Sequence, residues 1–277
     1  MRFTWILFIL LCIPVALHSE ENDVCGRSKP VRSIWMVETG YGSLLDTYLS
    51  PLRFDGMRLS VGGQWMKALG SDKVRMEFDS RLSSFITKSP ARNVSMYSLS
   101  LEFGWGLLKG WSLPWDIAAS AGLGPDLHAG VIYLPGGGNN PASAKFSLSL
   151  ALKGSVSRPM RIGRMPVLLS DQVTLPSAGV FFSPAFGESY YEIWLGNHSG
   201  LAHFGWWGNN FAISNLLSLD LQLGRHGLRV GYGFAVRSSW INHLNTQMVS
   251  HSIVIGFLPS GIMRGSRVRG NDINPFY

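Results

Sequence analysis

Apolar and polar residues alternate along most of this chain. In residues 74–82, valine, methionine, phenylalanine and leucine share one set of positions, whereas charged residues fill most of the positions between them. Successive side chains of a β-strand point to opposite faces, so this period of two predicts a strand with one apolar and one polar face. The pattern recurs in residues 144–153, 217–223 and 228–237.

Turn-forming residues divide the chain into twelve predicted strands, at residues 33–40, 56–69, 73–86, 94–108, 115–124, 127–134, 142–154, 165–182, 189–196, 211–223, 227–239 and 247–258. If both termini lie at one end, the turns there are residues 70–72, 109–114, 135–141, 183–188 and 224–226. The opposite end then receives the mostly longer connections 41–55, 87–93, 155–164, 197–210 and 241–246, although the connection at Pro125-Asp126 is short. Short turns at one end and long loops at the other are typical of outer-membrane β-barrels.

Alternation alone fits both a soluble sheet and a membrane barrel, and two further features favour the barrel. The polar faces are rich in serine and glycine, which suits a crowded interior. Eight tryptophans fall into two groups near opposite strand ends, as interfacial aromatic girdles require. The first group is Trp65, Trp105, Trp111 and Trp115, and the second is Trp194, Trp206, Trp207 and Trp240. We therefore predict an all-β fold, a single antiparallel transmembrane β-barrel of about twelve strands.

The N-terminal residues predict export. A positive start at Met1-Arg2, an apolar run over residues 5–15 and the small Ser19 match a cleaved secretory signal peptide. The predicted organisation is a signal peptide at 1–19, an outer-membrane barrel at 20–258 and a C-terminal tail at 259–277. Cleavage leaves Cys25 as the single thiol of the mature chain, so no internal disulfide is expected.

Composition narrows the partners. Charged residues make up 15% of the chain, against about 25% in typical soluble domains. The net charge of +7 is scattered rather than clustered, which argues against nucleic acid as a partner. We expect outer-membrane lipid as the surrounding partner, with a small solute or an envelope protein as further candidates, and no cofactor.

Three segments resemble an uncharacterised family of secreted Bacteroidota proteins regarded as outer-membrane barrels. These segments are residues 47–52, residues 179–192 with the run Gly-Val-Phe-Phe-Ser-Pro, and residues 250–257. The resemblance extends over most of the mature chain. It implies an outer-membrane location and a barrel fold, and it assigns no catalytic residue because the family has no assigned activity.

The polar faces of the predicted strands carry seven basic and six acidic residues. The set is Arg58, Arg75, Arg81, Lys145, Lys153, Arg229 and Arg237 with Glu77, Asp79, Glu102, Asp116, Glu192 and Asp220. Inside a barrel these charges should pair, since an unpaired buried charge costs several kcal/mol. A nearly neutral, paired interior indicates a narrow or plugged lumen, so we expect a structural role or a restricted passage for small solutes.

Two other functions stay open at this point. An outer-membrane lipid hydrolase would need a serine and a histidine within reach, and His198 with Ser199 in a far loop is the candidate pair. A soluble secreted β-sandwich with a binding role would show the same alternation. The histidines lack the spacing of a metal site, so we expect no metal and no enzymatic activity.

Overall fold

The computed structural model describes residues 31–69, 71–138, 140–197 and 200–259. The predicted signal peptide, Cys25 and residues 260–277 of the predicted tail lie outside these ranges. The described residues form eleven strands and one short helix. They are β1 (Val31–Asp46), β2 (Ser50–Leu69), β3 (Ser71–Lys88), β4 (Ser95–Ser112), β5 (Ala118–Tyr133), β6 (Ala142–Ile162), β7 (Met165–Phe182), α1 (Tyr190–Trp194), β8 (Ala202–Trp206), β9 (Asn210–Leu223), β10 (His226–Ile241) and β11 (Leu244–Leu258).

Ten of the strands close into an antiparallel barrel. Each strand pairs with its neighbour in sequence, β7 pairs with β9, and β11 returns to pair with β1, with Trp35 opposite Phe257 and Asp46 opposite Thr246. The short β8 lies outside this ring and pairs with the last residues of β7. Closure confirms the predicted barrel and excludes the two-layer sandwich.

The predicted number of twelve strands is wrong for two local reasons. The two strands predicted at residues 115–124 and 127–134 are replaced by one strand, β5. In β5, Pro125 pairs with Leu150 of β6 and lies where the ladder to β4 skips a step. Proline has no N–H to give to that ladder. Residues 189–196 contain α1 instead of a strand, because Ser189 and Glu192 form a capping box at its start.

These two differences also move several connections to the other end of the barrel. The end that holds Val31 and Leu258, here called the termini end, carries residues 113–117, 163–164 and 224–225 and is where β2 ends and β3 begins. The opposite end, here called the far end, carries the described residues of the connections 47–49, 89–94, 134–138, 140–141, 183–197, 200–201, 207–209 and 242–243, together with β8. Connections 135–141 and 183–188 were expected at the termini end and lie at the far end, and the connection within 155–164 shows the reverse error.

The barrel is apolar outside and polar or small inside. On β11, Ile253, Ile255 and Phe257 point outward and are exposed, whereas Ser250 and Ser252 point inward and are buried. This polarity is the reverse of a soluble protein, in which apolar side chains pack in the middle. In the described part of the chain, no helix has the length and apolar character needed to cross a membrane.

Two apolar clusters fill the lumen near its ends. The lower cluster lies toward the termini end and contains Ile34, Met36, Met66, Ala68, Ala118, Leu168, Leu216, Val254 and Leu258. The upper cluster lies toward the far end and contains Leu44, Phe54, Phe85, Met96, Ile132, Leu134 and Met248. Inward-facing charged residues lie between the two clusters and also beside them.

Residues 183–197, here called the cap, fold back over the rim of the far end. The Tyr48 hydroxyl donates to the Glu188 carbonyl at 2.7 Å, and the Tyr190 hydroxyl accepts from the Ala144 amide at 2.6 Å. On another side of the rim, the Asn242 amide donates to the Pro184 carbonyl at 3.3 Å. The cap is therefore attached to three different connections or strands of the barrel.

Glycine is required where neighbouring strands approach closely. A Cβ atom on Gly40 of β1 would collide with the His251 carbonyl oxygen and the Ser252 Cα of β11. On Gly154 of β6, by contrast, the nearest heavy atom would be the Ser120 carbonyl oxygen at 3.9 Å. The contact between the first and last strands thus leaves no room for a side chain at Gly40.

We predict that Gly40→Ala destabilises the barrel by about 1–3 kcal/mol, the usual cost of an added group in a packed interior. The measurement is the urea midpoint of the protein in detergent micelles. Gly154→Ala is the matched control and should keep the wild-type midpoint. Equal midpoints for the two variants would contradict the close contact of β1 with β11.

Candidate functional site

The centre of the lumen is built around Glu38 of β1. Its carboxylate accepts from Arg58 Nη1 at 2.6 Å and from Arg81 Nε at 2.9 Å. The Glu38 and Arg58 side chains are almost fully buried. Arg58 also donates to the Ser83 hydroxyl at 3.1 Å. One carboxylate thus holds two guanidinium groups from β2 and β3, which point inward because they continue the alternation of their strands.

Glu102 of β4 extends this central network across the lumen. It accepts from Arg81 Nη1 at 3.4 Å and from Arg237 Nη2 at 3.2 Å. About a quarter of the surface of each of these three side chains is exposed, and all three line the central cavity. The exposed fraction therefore faces the lumen.

A second network joins side chains of β3 and β6, which are separated in the wall by β4 and β5. Lys153 forms an ion pair with Asp79 and is 3.9 Å from Glu77 Oε1, while Arg75 Nη2 is 3.5 Å from Glu77 Oε2. Arg75 also donates to the Ser155 hydroxyl at 2.9 Å. Two bases and two acids thus neutralise one another along the wall.

A third network seals the termini end. Asp220 of β9 is fully buried and forms ion pairs with Arg32 and with Arg229, whose Nε lies 2.6 Å from Asp220 Oδ1. Arg229 Nη1 also donates to the Gln64 side chain at 3.3 Å. These groups lie in the same layer as the lower apolar cluster, so they are surrounded by dry side chains.

A fourth pair lies near the far end. Lys145 Nζ is 3.0 Å from Asp46 Oδ2 and donates to the Thr246 hydroxyl at 2.8 Å. The Asp46 side chain is fully buried. Charged pairs thus occur at every level of the lumen between the two ends.

Of the thirteen predicted lumen charges, the structure brings eleven into these networks and leaves two outside. Asp116 lies exposed in the connection between β4 and β5, where it has a positive φ of 58°. Glu192 is exposed on α1, where its carboxylate accepts from the Ser189 amide at 2.7 Å. Both errors follow from assigning a strand to a segment that forms a turn or a helix.

The sequence interpretation missed five inward groups: Arg32, Glu38, Asp46, Asp126 and His128. Arg32 and Glu38 share the inward parity of β1, so extending the alternation through residues 31–46 would have found them. Asp126 is missed because Pro125-Asp126 is interpreted as a turn, whereas His128 lies in the predicted strand 127–134 and is missed because only acidic and basic residues were assigned to the lumen.

The networks surround a central cavity of about 120 Å³. Its acidic lining residues are Glu38, Glu77, Asp79, Glu102 and Asp126, and its basic ones are Arg58, Arg75, Arg81, Lys153 and Arg237. The cavity is thus formally neutral. Asp126 and His128 are only 8% and 4% exposed, and neither side chain has a direct hydrogen bond or ion pair to another described residue.

The two predicted groups of tryptophans lie at opposite ends of the barrel. Trp65, Trp105, Trp111 and Trp115 are near the termini end, and Trp194, Trp206, Trp207 and Trp240 are near the far end. The rings of Trp65 and Trp35 meet edge to face with centroids 5.3 Å apart. The most exposed of the predicted tryptophans are Trp115, at 79%, and Trp194, at 77%.

The candidate hydrolase pair His198 and Ser199 lies outside the described residues. The nearby His203 is described, and its Nε2 is 3.0 Å from the Ser183 carbonyl oxygen and 3.3 Å from Asn242 Nδ2. In the described ranges, no three histidine, cysteine or acidic side chains are placed to hold a metal ion.

Sequence comparison places the chain in a family. Residues 5–263 match the family model described as "Protein of unknown function (DUF3316)". The chain belongs to this family. No curated protein sequence matches it.

Solved structures similar to this DUF3316 chain include the following three. Neisserial surface protein A has 10% identity and a TM-score of 0.34, with 81% of this chain and 95% of that chain covered. The transport unit of the autotransporter AIDA-I from Escherichia coli has 7% identity and a TM-score of 0.42, with 88% of this chain and 92% of that chain covered. The translocator domain of the autotransporter NalP from Neisseria meningitidis has 11% identity and a TM-score of 0.39, with 91% of this chain and 94% of that chain covered.

We predict that Glu38→Gln destabilises the barrel by about 3–5 kcal/mol, because it leaves two buried guanidinium groups without their shared carboxylate. The measurement is the free energy of unfolding in urea and detergent. Asp55→Asn makes the same chemical change at an exposed position of β2 and should leave that free energy nearly unchanged. A small effect of Glu38→Gln would show that Glu38 does not hold the network together.

A separate prediction concerns the contact between Tyr48 and the cap. Burial, with the neighbouring Tyr190 and Glu188, raises the pKa of Tyr48 to about 12. The raised pKa means that the neutral phenol favours the folded state, so this contribution is complete below pH 10 and is lost as the pH rises through 12. The difference in tyrosinate absorbance between wild type and Tyr48→Phe should therefore have its midpoint near pH 12. In urea the midpoint should return to about 10, and a folded-state midpoint near 10 would contradict the contact.

Proposed function

We propose that this protein is an integral outer-membrane β-barrel that crosses the bilayer with ten strands and has a filled, non-conducting lumen. The observation that carries the proposal is the apolar exterior of a hydrogen-bonded ring that leaves no free side edge along most of its wall. Hydrocarbon offers no partner for backbone N–H and C=O groups, so closed barrels and helices are the structures that can span it.

The strand lengths support this placement. The ten strands of the ring have between 14 and 21 residues, whereas a tilted transmembrane strand needs about 9–11. The exposed middle of β2 contains Leu59, 52% exposed, and Val61, 45% exposed. The strands are thus long enough to cross a bilayer and to extend beyond it.

The difference in connection length between the two ends supports an orientation of the barrel in the membrane. Outer-membrane barrels have short turns on the periplasmic side and longer loops outside. The termini end has the short connections, and the far end carries the cap and β8. The proposal therefore places the termini in the periplasm and the cap at the cell surface.

The lumen supports a structural role more than transport. A barrel of about eight strands is just filled by side chains, and one of 16 leaves an aqueous channel. Ten strands lie close to the filled case, and here two apolar clusters and four ionic networks occupy the interior. Restricted passage of a small solute is the second candidate, favoured only by the central cavity. The proposal includes no catalytic step, no cofactor and no nucleic acid.

The first test is electrophoresis of detergent-solubilised protein with and without heating, followed by recording in planar bilayers. We expect a band that shifts on heating, as for barrels that resist cold detergent, and no stepwise conductance. A reproducible conductance would replace the structural role with the transport role. Loss of the protein from washed membranes without detergent would overturn membrane integration itself.

A charge at the middle of the exterior should be costly. We expect Leu59→Arg to lower the stability of the inserted barrel by about 2–4 kcal/mol, the cost of arginine at the bilayer midplane. The measurement is the unfolding free energy in lipid vesicles. Leu113→Arg is the matched control, because Leu113 is 48% exposed but lies in the connection between β4 and β5. Similar costs for both variants would argue against an apolar belt around the middle of the strands.

A further inference from the structure

The wall of the barrel has a break between β7 and β9. Here β7 pairs with β9 from Val167 to Thr174 and with β8 from Ala178 to Phe182. Between these stretches, residues 175–177 of β7 have no strand partner on this side within the described ranges, although they border β6 on the other side. These three residues and the facing start of β9, residues 210–213, are called the wall break.

Polar groups on the outside mark the wall break. The Trp207 indole N–H donates to the Pro176 carbonyl at 3.1 Å, and 49% of the Trp207 surface is exposed. Closer to the termini end, the exposed Asp171 side chain accepts from Asn215 Nδ2 at 2.6 Å. The Trp207 side chain therefore satisfies one backbone carbonyl that the interrupted ladder leaves open, and a polar side-chain pair lies on the exterior beside it.

The central cavity extends to the inner side of the wall break. Its lining includes Thr174 and Pro176 of β7 and Ala212 and Ser214 of β9. These inward side chains are small, whereas larger apolar clusters fill the lumen toward both ends. At the wall break the cavity is thus lined by small side chains, in a stretch of β7 that has no strand partner on this side within the described ranges.

The charges of the cavity restrict what it can hold. The ten charged lining residues balance one another, so a guest with net charge would leave an uncompensated charge in a poorly solvated interior. Asp126 is 8% exposed and lines the cavity. Its side chain has no direct hydrogen bond or ion pair to another described residue. A cationic group on the guest would meet this carboxylate, and an anionic group would meet Arg237, which lines the same cavity.

The size of the cavity fits a head group rather than a whole lipid. A water-sized site occupies about 10–15 Å³ of such space, so the 120 Å³ cavity can take a group of about ten heavy atoms. An attached hydrocarbon chain would have to leave through the wall, where it would meet the apolar exterior.

We propose that the cavity binds the zwitterionic head group of a single-chain amphiphile, which enters from the bilayer through the wall break and leaves its chain outside. This inference rests on the proposed membrane integration. Asp126 receives the cationic part of the head group and Arg237 the anionic part, while Trp207 lies beside the chain at the wall break.

The test uses the full chain in octyl glucoside, a detergent with an uncharged head group, after the heat-shifted band has established that the barrel is folded. Dodecylphosphocholine is added as the probe, and bound molecules are counted by native mass spectrometry. Dodecyl phosphate and dodecyltrimethylammonium are the anionic and cationic comparisons with the same chain. We expect one dodecylphosphocholine to bind at least tenfold more tightly than either comparison.

Two variants test the assignment of the site. Asp126→Asn should weaken binding of dodecylphosphocholine at least tenfold, whereas Asp116→Asn, at an exposed position outside the lumen, should bind as the wild type does. Thr174→Trp should fill the inner side of the wall break and abolish binding. If that variant lacks the heat-shifted band, Trp207→Ala replaces it and should speed association by opening the same route.

The outcomes separate the two proposals. A wild-type protein without a heat-shifted band refutes the membrane barrel. A folded barrel that binds no probe, binds all three probes alike, or is unaffected by Asp126→Asn refutes the lipid site and leaves the membrane barrel standing.

Discussion

Backbone hydrogen bonding is the constraint on which this structure depends. A strand needs a partner on both edges, above all in the hydrocarbon proposed to surround this barrel, and here that requirement is met by joining the first strand to the last. Once the ring is closed, every strand has one face toward the surroundings and one toward a narrow interior. The alternation of apolar and polar residues follows from that division.

The narrow interior then determines the chemistry inside. Ten strands leave too much space for small side chains alone, and arginine, lysine and glutamate are long enough to reach the middle from the wall. Ionised groups are expensive in such a place unless they are paired, and the structure pairs them repeatedly, with Glu38, Glu102 and Asp220 each serving two basic groups. The pairs that lie beside the apolar clusters, such as Asp220 with Arg229, are the most deeply buried, and a low local dielectric strengthens such pairs.

The sequence predicts the regular parts of this molecule better than its interruptions. Most barrel strands and eleven inward charges could be found from a period of two, because that period is a direct consequence of the pleat. The errors occur where one residue changes the local rule. Pro125 predicts a turn but lies within β5. The tyrosines of α1 favour a strand, although Ser189 and Glu192 form the capping box of a helix start. The pairing of individual charges could not be predicted, because partners such as Arg32 and Asp220 lie 188 positions apart and meet only when the ring is closed.

The pairing of β1 with β11 has a consequence for biogenesis. The two strands that must join, β1 and β11, are the first and the last barrel strands to be synthesised. An unfinished chain therefore has two unpaired strand edges and an exposed apolar surface. Such a species is prone to aggregation, and the cylinder can be completed only after Leu258 has been delivered. Loss of β11 would remove fifteen residues and would also open the ring. Both β1 and β10 would then be unpaired edge strands.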